Sequence, residues 1–311
     1  MIKKIKDYLI NLLFSNLSAL LLCFAVMLLL ASFNFINSVF LSSSIWSMLF
    51  FIPLAFCPSI AIFLLSKKQR YLITKHLCKI KKYHIPAIIY SILLLIFGSL
   101  FLKFIFIDGQ YTAFSLYNTF FAKIDGGFAK QLYLLLTFCI IPPIFEGIIY
   151  RGILIKEYDK RGRMCATLVS STLYALLGFD FSLVPQRFFM GALLCILLYA
   201  TSSIIVSISA NIIYNIFALY FEPIFISLKK VSANANTFSQ LILIASLIMA
   251  TCLCSHLFRL YKKYSKDKNY LNFKKSTPRE RTFWHLVELL LSAPALSCYV
   301  LFLVTVAIIN I

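Results

Sequence analysis

The chain is 311 residues long and 61% hydrophobic, with 13% charged residues where a soluble domain carries roughly a quarter. Its formal charge of +19 would suit a nucleic-acid partner. However, the cations sit in a few segments between long apolar runs, which is the distribution the positive-inside rule produces. No nucleic acid is expected, and the roughly ten-residue alternation of a membrane barrel is absent.

From the N-terminus, the basic cluster Met1 to Lys6 leads into an apolar run that reaches about Phe35 without a small-residue cleavage site. It reads as a retained first span rather than a signal peptide. Spans are predicted near 12–35, 45–65, 85–107, 132–155, 164–179, 184–200, 204–221, 241–260 and 286–309, each approaching or exceeding the ~20 residues a helix needs to cross a bilayer. The outer loop 108–131 is expected to hold a short interfacial helix. Spans five to seven are short and closely spaced, as tilted or partly re-entrant helices are. Segments 1–6, 67–82, 156–163 and 259–281 hold 23 of the 30 Lys and Arg. Six others, Lys103, Lys123, Lys130, Arg187, Lys229 and Lys230, fall on the opposite side, and Arg151 lies inside span four.

The expected fold is therefore an all-α polytopic membrane protein of about nine transmembrane helices. Its N-terminus is cytoplasmic, and a bacterial plasma membrane is the expected location. Three regions follow: 1–131 with three spans, a core at 132–222 with four, and 223–311 with two. Most of the nine cysteines lie in apolar runs, where Cys behaves as a small hydrophobe.

An ionisable residue within a span is costly enough to mark a functional candidate. Span four has two, Glu146 and Arg151, in the stretch Ile141-Pro-Pro-Ile-Phe-Glu-Gly-Ile-Ile-Tyr-Arg-Gly152. Pro142 and Pro143 are expected to break the span and start a half-helix. Glu146 would then sit near its positive end, poised to activate water. On an α-helix Glu146 and Arg151 lie about 140° apart and do not pair simply. Asn211 and Asn215 share one face of span seven, either lining a polar interior or bonding neighbouring helices. Cys252, Cys254 and His256 point about 200° apart in succession and do not converge on a metal. Neither a metal site nor a cofactor is predicted. Counting at about 1.5 Å per residue puts Glu146, Gly178, Asn211 and Asn215 in one mid-membrane layer.

The sequence Glu146-Gly-x-x-x-Arg151 resembles the Glu-Glu-x-x-x-Arg motif of the CaaX-protease and bacteriocin-processing family of intramembrane peptidases. Tyr174-Ala-Leu-Leu-Gly178 matches its Phe-x-x-x-His motif by position, and Asn211-Ile-Ile-Tyr-Asn215 its His-x-x-x-Asn motif. The resemblance covers about residues 132–221. It implies a peptidase in which the first Glu activates water, two His assist and the Asn lies near the oxyanion. By position Glu146, Arg151 and Asn215 are retained, while Gly147, Gly178 and Asn211 replace the second Glu and both His. The four histidines, His76, His84, His256 and His285, lie elsewhere.

The expected function is a weakly catalytic or inactive membrane member of that family. It would bind a membrane-embedded or lipid-anchored peptide or protein partner, with membrane lipids around it. An active glutamate-dependent intramembrane protease and a small transporter, whose helices are also broken mid-membrane, are the alternatives.

Overall fold

The computed structural model describes residues 23–28, 31, 82–106, 131–132, 134–158, 162–177, 180–222, 224–225, 235–264 and 293–309. Predicted span two lies outside these residues, as do most of span one and the expected interfacial helix at 108–130. Every regular element among the described residues is helical.

Three helices begin alike. Helix α1 (Ile85–Phe106) starts Ile-Pro, α4 (Val184–Thr201) Val-Pro and α7 (Ala293–Ile309) Ala-Pro. In the first turn a proline forfeits no helical bond, and its fixed φ favours the helix. The segment at 134–158, here α2, carries its prolines in mid-course. The other helices are α3 (Arg163–Leu176), α5 (Ile204–Tyr220) and α6 (Ala235–Tyr264). Two stretches, Ile85–Lys103 and Phe181–Thr201, are long and apolar enough to cross a membrane. Shorter apolar stretches are Ile204–Tyr220, Gln240–His256 and Ala295–Ala307.

Polar side chains on these helices mostly bond their own backbone. The hydroxyls of Ser171, Thr172, Thr201 and Thr305 donate to the carbonyls of Thr167, Leu168, Leu197 and Leu301, one turn back. A hydroxyl satisfied this way makes little demand on an apolar surrounding. Leu241, Ile244, Leu247 and Ile248 form an exposed stripe on α6, and Leu296, Val300, Leu303 and Val304 another on α7. The spacing of one helix face gives continuous apolar surface of the kind hydrocarbon covers.

The chain divides into two compact units. In the first lie residues 144–191 and 293–309, with the short helical stretch at 23–28. Here α2 turns back into α3 through Gly162, at φ 125°, a left-handed conformation that glycine adopts without a Cβ clash. Ser170 Oγ donates to the Tyr150 carbonyl over 2.8 Å, joining the two helices. Asp180 Oδ1 accepts from the Ser182 backbone N–H and hydroxyl at 2.8 and 2.6 Å, starting the turn into α4. That carboxylate is a cap. Farther along, Gly191 lets α4 approach α3 closely. A Cβ there would stand 3.0 Å from Ser171 Cα and 3.1 Å from Tyr174 Cδ1, so even alanine would force the helices apart. Close crossing at small residues is how membrane helices gain packing.

The second unit holds described residues 82–143 and 192–264. Helix α1 packs on α6 and α5, and α5 also packs on the start of α2. Tyr90, early on α1, meets His256, late on α6, edge to face at 6.3 Å. These two helices run antiparallel. Leu134 and Cys139 of α2 form a small core with Leu219 of α5, again antiparallel. The turn between α4 and α5 is tight. Ser202 takes φ 53°, and Ser207 Oγ donates back to the Leu194 carbonyl over 3.1 Å.

Lys103, near the end of α1, pairs with Glu222, just beyond α5. Both are nearly sealed from solvent, at 4% and 2% exposure. The sequence counts Lys103 on the outer side at the end of span three; it lies within the helix there, and a counter-ion from just beyond α5 is what permits its burial. The two helices end at the same level and run parallel. Removing one member of a buried pair typically costs about 3–5 kcal/mol, whereas replacing both by apolar groups is near neutral. Lys103→Met and Glu222→Leu should each lower the unfolding midpoint of the purified protein sharply, and the double variant should recover most of the loss. A double variant as unstable as the worse single one would contradict this.

Candidate functional site

Residues 134–158 are helical throughout, so Pro142 and Pro143 do not break the span. Instead the helical register widens on both sides. Leu135–Ile140 and Gly147–Leu154 are π-helical, and the short α-helix Ile141–Glu146 lies between them. The Ile141 N–H bonds the Leu136 carbonyl, five residues back. An α-helical proline collides with the carbonyl four residues before it; the wider π turn leading into Pro142 eases that crowding. Stretches of π-helix are rare and recur at functional sites.

Two expectations change in consequence. Glu146 lies within a continuous helix and not at the positive end of a half-helix. Glu146 and Arg151, five apart, are not turned 140° from one another, because a helix bonded i to i+5 brings positions five apart toward the same side.

The proline pair also leaves a carbonyl to be satisfied. In either register the partner of Phe138 is a proline, Pro142 four residues on or Pro143 five, and neither has an N–H. Asn215 supplies the donor, its Nδ2 reaching the Phe138 oxygen at 3.3 Å. The side chain expected near an oxyanion thus donates to backbone. Asn211, one turn earlier on α5, is fully buried.

In the first unit the charged residues gather around an aromatic pair. Tyr150 and Tyr174 meet edge to face with centroids 5.9 Å apart. The Arg151 guanidinium carbon stands over the Tyr174 ring, 4.7 Å from its centroid. Arg151 is only 1% exposed, and Tyr174 is its neighbour through both ring and side-chain polar contact. The buried Tyr150 side chain lies against that of Cys23. Glu146 is half-buried, and it acts electrostatically on Tyr174 together with Arg151 and Arg187.

Sequence reasoning missed Tyr150, Tyr174 and Arg187 as members of this cluster. Arg187, counted on the outer side at the edge of span six, lies in the first turn of α4, half-buried. An arginine just inside an apolar run was the available signal. Glu146 and Arg151 belong to the first unit, Asn211 and Asn215 to the second, and Gly178 lies outside the described residues. Among the described residues no three His, Cys, Asp or Glu side chains gather as metal ligands would.

If Asn215 serves the Phe138 carbonyl, its importance depends on the prolines. Asn215→Leu should cost about 1–2 kcal/mol. In a Pro142→Ala/Pro143→Ala background, where backbone donors return, it should cost little. Chemical unfolding of the four proteins measures this, and an equal loss in both backgrounds would show that Asn215 serves something else.

Residues 128–217 match the family described as type II CAAX prenyl endopeptidase Rce1-like. No curated protein and no solved structure matches the chain.

Proposed function

We propose that this chain, an integral membrane protein carrying a type II CAAX prenyl endopeptidase Rce1-like domain over residues 128–217, binds a lipid-anchored or membrane-embedded peptide and cleaves it weakly or not at all. Asn215 is the observation that carries the reading. The family resemblance would put its amide near an oxyanion, and here that amide donates to the Phe138 carbonyl. No histidine occurs anywhere in 128–217, so Glu146 has no imidazole from this domain to share proton transfer. Loss of such assistance typically lowers rates by about 10²–10⁴. The match to the family over 128–217 remains, and a helical membrane domain can bind a ligand without chemistry.

An active glutamate-dependent protease is the second reading, and one feature favours it. Glu146 is retained, half-buried beside two tyrosines. The transporter alternative loses its basis, because the helix through Pro142 and Pro143 is unbroken.

Nine spans with the N-terminus cytoplasmic, in a bacterial plasma membrane, complete the proposal. The charge asymmetry of the loops supports it. So do the alternating directions of α1, α2, α5 and α6, since parallel α1 and α5 run opposite to α2 and α6. Glu146 and Arg151 in the first unit, and Asn211 and Asn215 in the second, are each proposed as functional residues of their own unit, with Asn215 acting through the backbone it supports.

The full chain reconstituted in liposomes and given a prenylated fluorescent CaaX peptide tests the reading. Saturable binding without turnover above the protein-free rate is expected. Cleavage that disappears in Glu146→Gln would replace it with the protease reading.

A further inference from the structure

Helices α1 and α6 pack along their length in the second unit, antiparallel, with Tyr90 against His256. That contact fixes their relative levels. Back from Tyr90, five α-helical steps of about 1.5 Å and the 3₁₀ turn Lys82–His84 at about 2 Å per residue place Lys82 roughly 13 Å beyond it. Onward from His256, Arg259 stands about 4.5 Å beyond, and the helix passes Lys262 and Lys263 at about 9 and 10.5 Å. The start of α1 and the last two turns of α6 therefore share one end of the unit. There Lys82 and Arg259 are exposed and His256 is half-buried.

Helix length sets the depth of that end. The apolar stretch Gln240–His256 rises about 25 Å. A hydrocarbon layer about 30 Å thick ends some three residues later, which is where Arg259 stands. Helix α6 nevertheless continues to Tyr264, so its last turns cross the headgroup layer with Lys82 alongside.

Charge is unbalanced at this end. Among the described residues of the second unit the one acidic side chain is Glu222, which pairs with Lys103 at the opposite end of α1. Neither α1 nor α6 contains an Asp or Glu. Antiparallel packing thus gathers cations from two helices with no carboxylate of either helix between them. The positive end of the α1 dipole adds to the same potential, and like charges held together oppose the packing that gathers them.

We propose that the Lys82 end of α1 and the Arg259 end of α6 together bind the phosphodiester headgroup of an anionic phospholipid, which bridges the two helices. Depth selects the ligand class, since the anion in reach at the hydrocarbon border is a lipid phosphate. Arg259 offers a fork that matches two phosphate oxygens, and Lys82 adds a point charge. The exposed side chains of Leu241, Ile244, Leu247 and Ile248 run along α6 toward this end and give the acyl chains an apolar track. A zwitterionic headgroup carries its own cation and leaves the excess in place. The site lies in the second unit and does not depend on what the first unit binds.

The full chain, purified in detergent and titrated with phosphatidylglycerol or phosphatidylcholine, tests the site by thermal unfolding and native mass spectrometry. Phosphatidylglycerol should raise the unfolding midpoint and be retained on the protein, and phosphatidylcholine should do neither. Each cation near a membrane surface contributes about fivefold to affinity, so Lys82→Gln/Arg259→Gln should weaken phosphatidylglycerol binding roughly 25-fold. Lys266→Gln/Lys268→Gln removes the same charge from the basic segment that follows α6 and should weaken it far less. Equal losses in the two double variants would reduce the effect to diffuse attraction and overturn the site. Equal stabilisation by phosphatidylcholine, or by inorganic phosphate in place of lipid, would overturn it too. Lys82 and Arg259 are exposed, so their replacement should leave the fold intact. If the double variant does not fold, Lys82→Gln and Arg259→Gln should each lose about fivefold, and an unchanged affinity in both would end the proposal.

Discussion

A carbonyl among apolar helices must find a donor, and the two residues that would ordinarily serve the Phe138 carbonyl are Pro142 and Pro143. Neither has an N–H, and the rest of this region is arranged around that deficit. The helix widens into the π register before the prolines and again after Glu146. A carboxamide from α5 then crosses to complete the ladder. Because an unsatisfied backbone group in hydrocarbon costs several kcal/mol, α5 cannot rotate or slide by a residue without exposing the defect. The proline pair thus fixes the register of α5 against α2, and with it the depth of Asn211.

Charge is handled differently in the two units. Lys103 and Glu222 neutralise each other in a sealed pair, a closed arrangement with nothing left to bind. Around Tyr174 the charges are spread over Glu146, Arg151 and Arg187, and Arg151 is held over the Tyr174 ring. The first arrangement neutralises charge pairwise, and the second spreads it over an aromatic face.

Much of the fold was legible in the sequence because helix ends in an apolar chain are set by local chemistry. Helices α1, α4 and α5 begin and end within a residue or two of the predicted spans, where Pro86 and Pro185 start helices and the Ser202-Ser203 turn separates two. Cys139, Cys165, Cys195 and Cys298 are buried and outside any disulfide, as their apolar neighbours imply. Pro142 and Pro143 misled because propensity treats proline as a break, while packing from α5 can restore the lost bond and π turns can relieve the clash. Lys103 and Arg187 fall inside predicted spans, but a count of charges by side cannot show their burial or their partners. For the candidate site, Glu146 and Arg151 stood out as charges in an apolar run. Tyr150 carries no such mark, since aromatic residues are common in these helices, and Tyr174 stands out only as a motif position until its tertiary contact with Arg151 is seen.

The Lys103–Glu222 pair also has a history. Its members are 119 residues apart, so at about 5–20 residues per second of synthesis the lysine waits roughly 6–24 s for its counter-ion. During that interval the third span must be held by the insertion machinery or the interface, with the ammonium reaching toward water from the last turn of its helix. Once α5 emerges, the carboxylate draws the lysine in and both leave the aqueous edge together. The pair therefore works as a latch on assembly order: α1 can settle to its final depth only after the helix bearing Asn211 and Asn215 has arrived beside it.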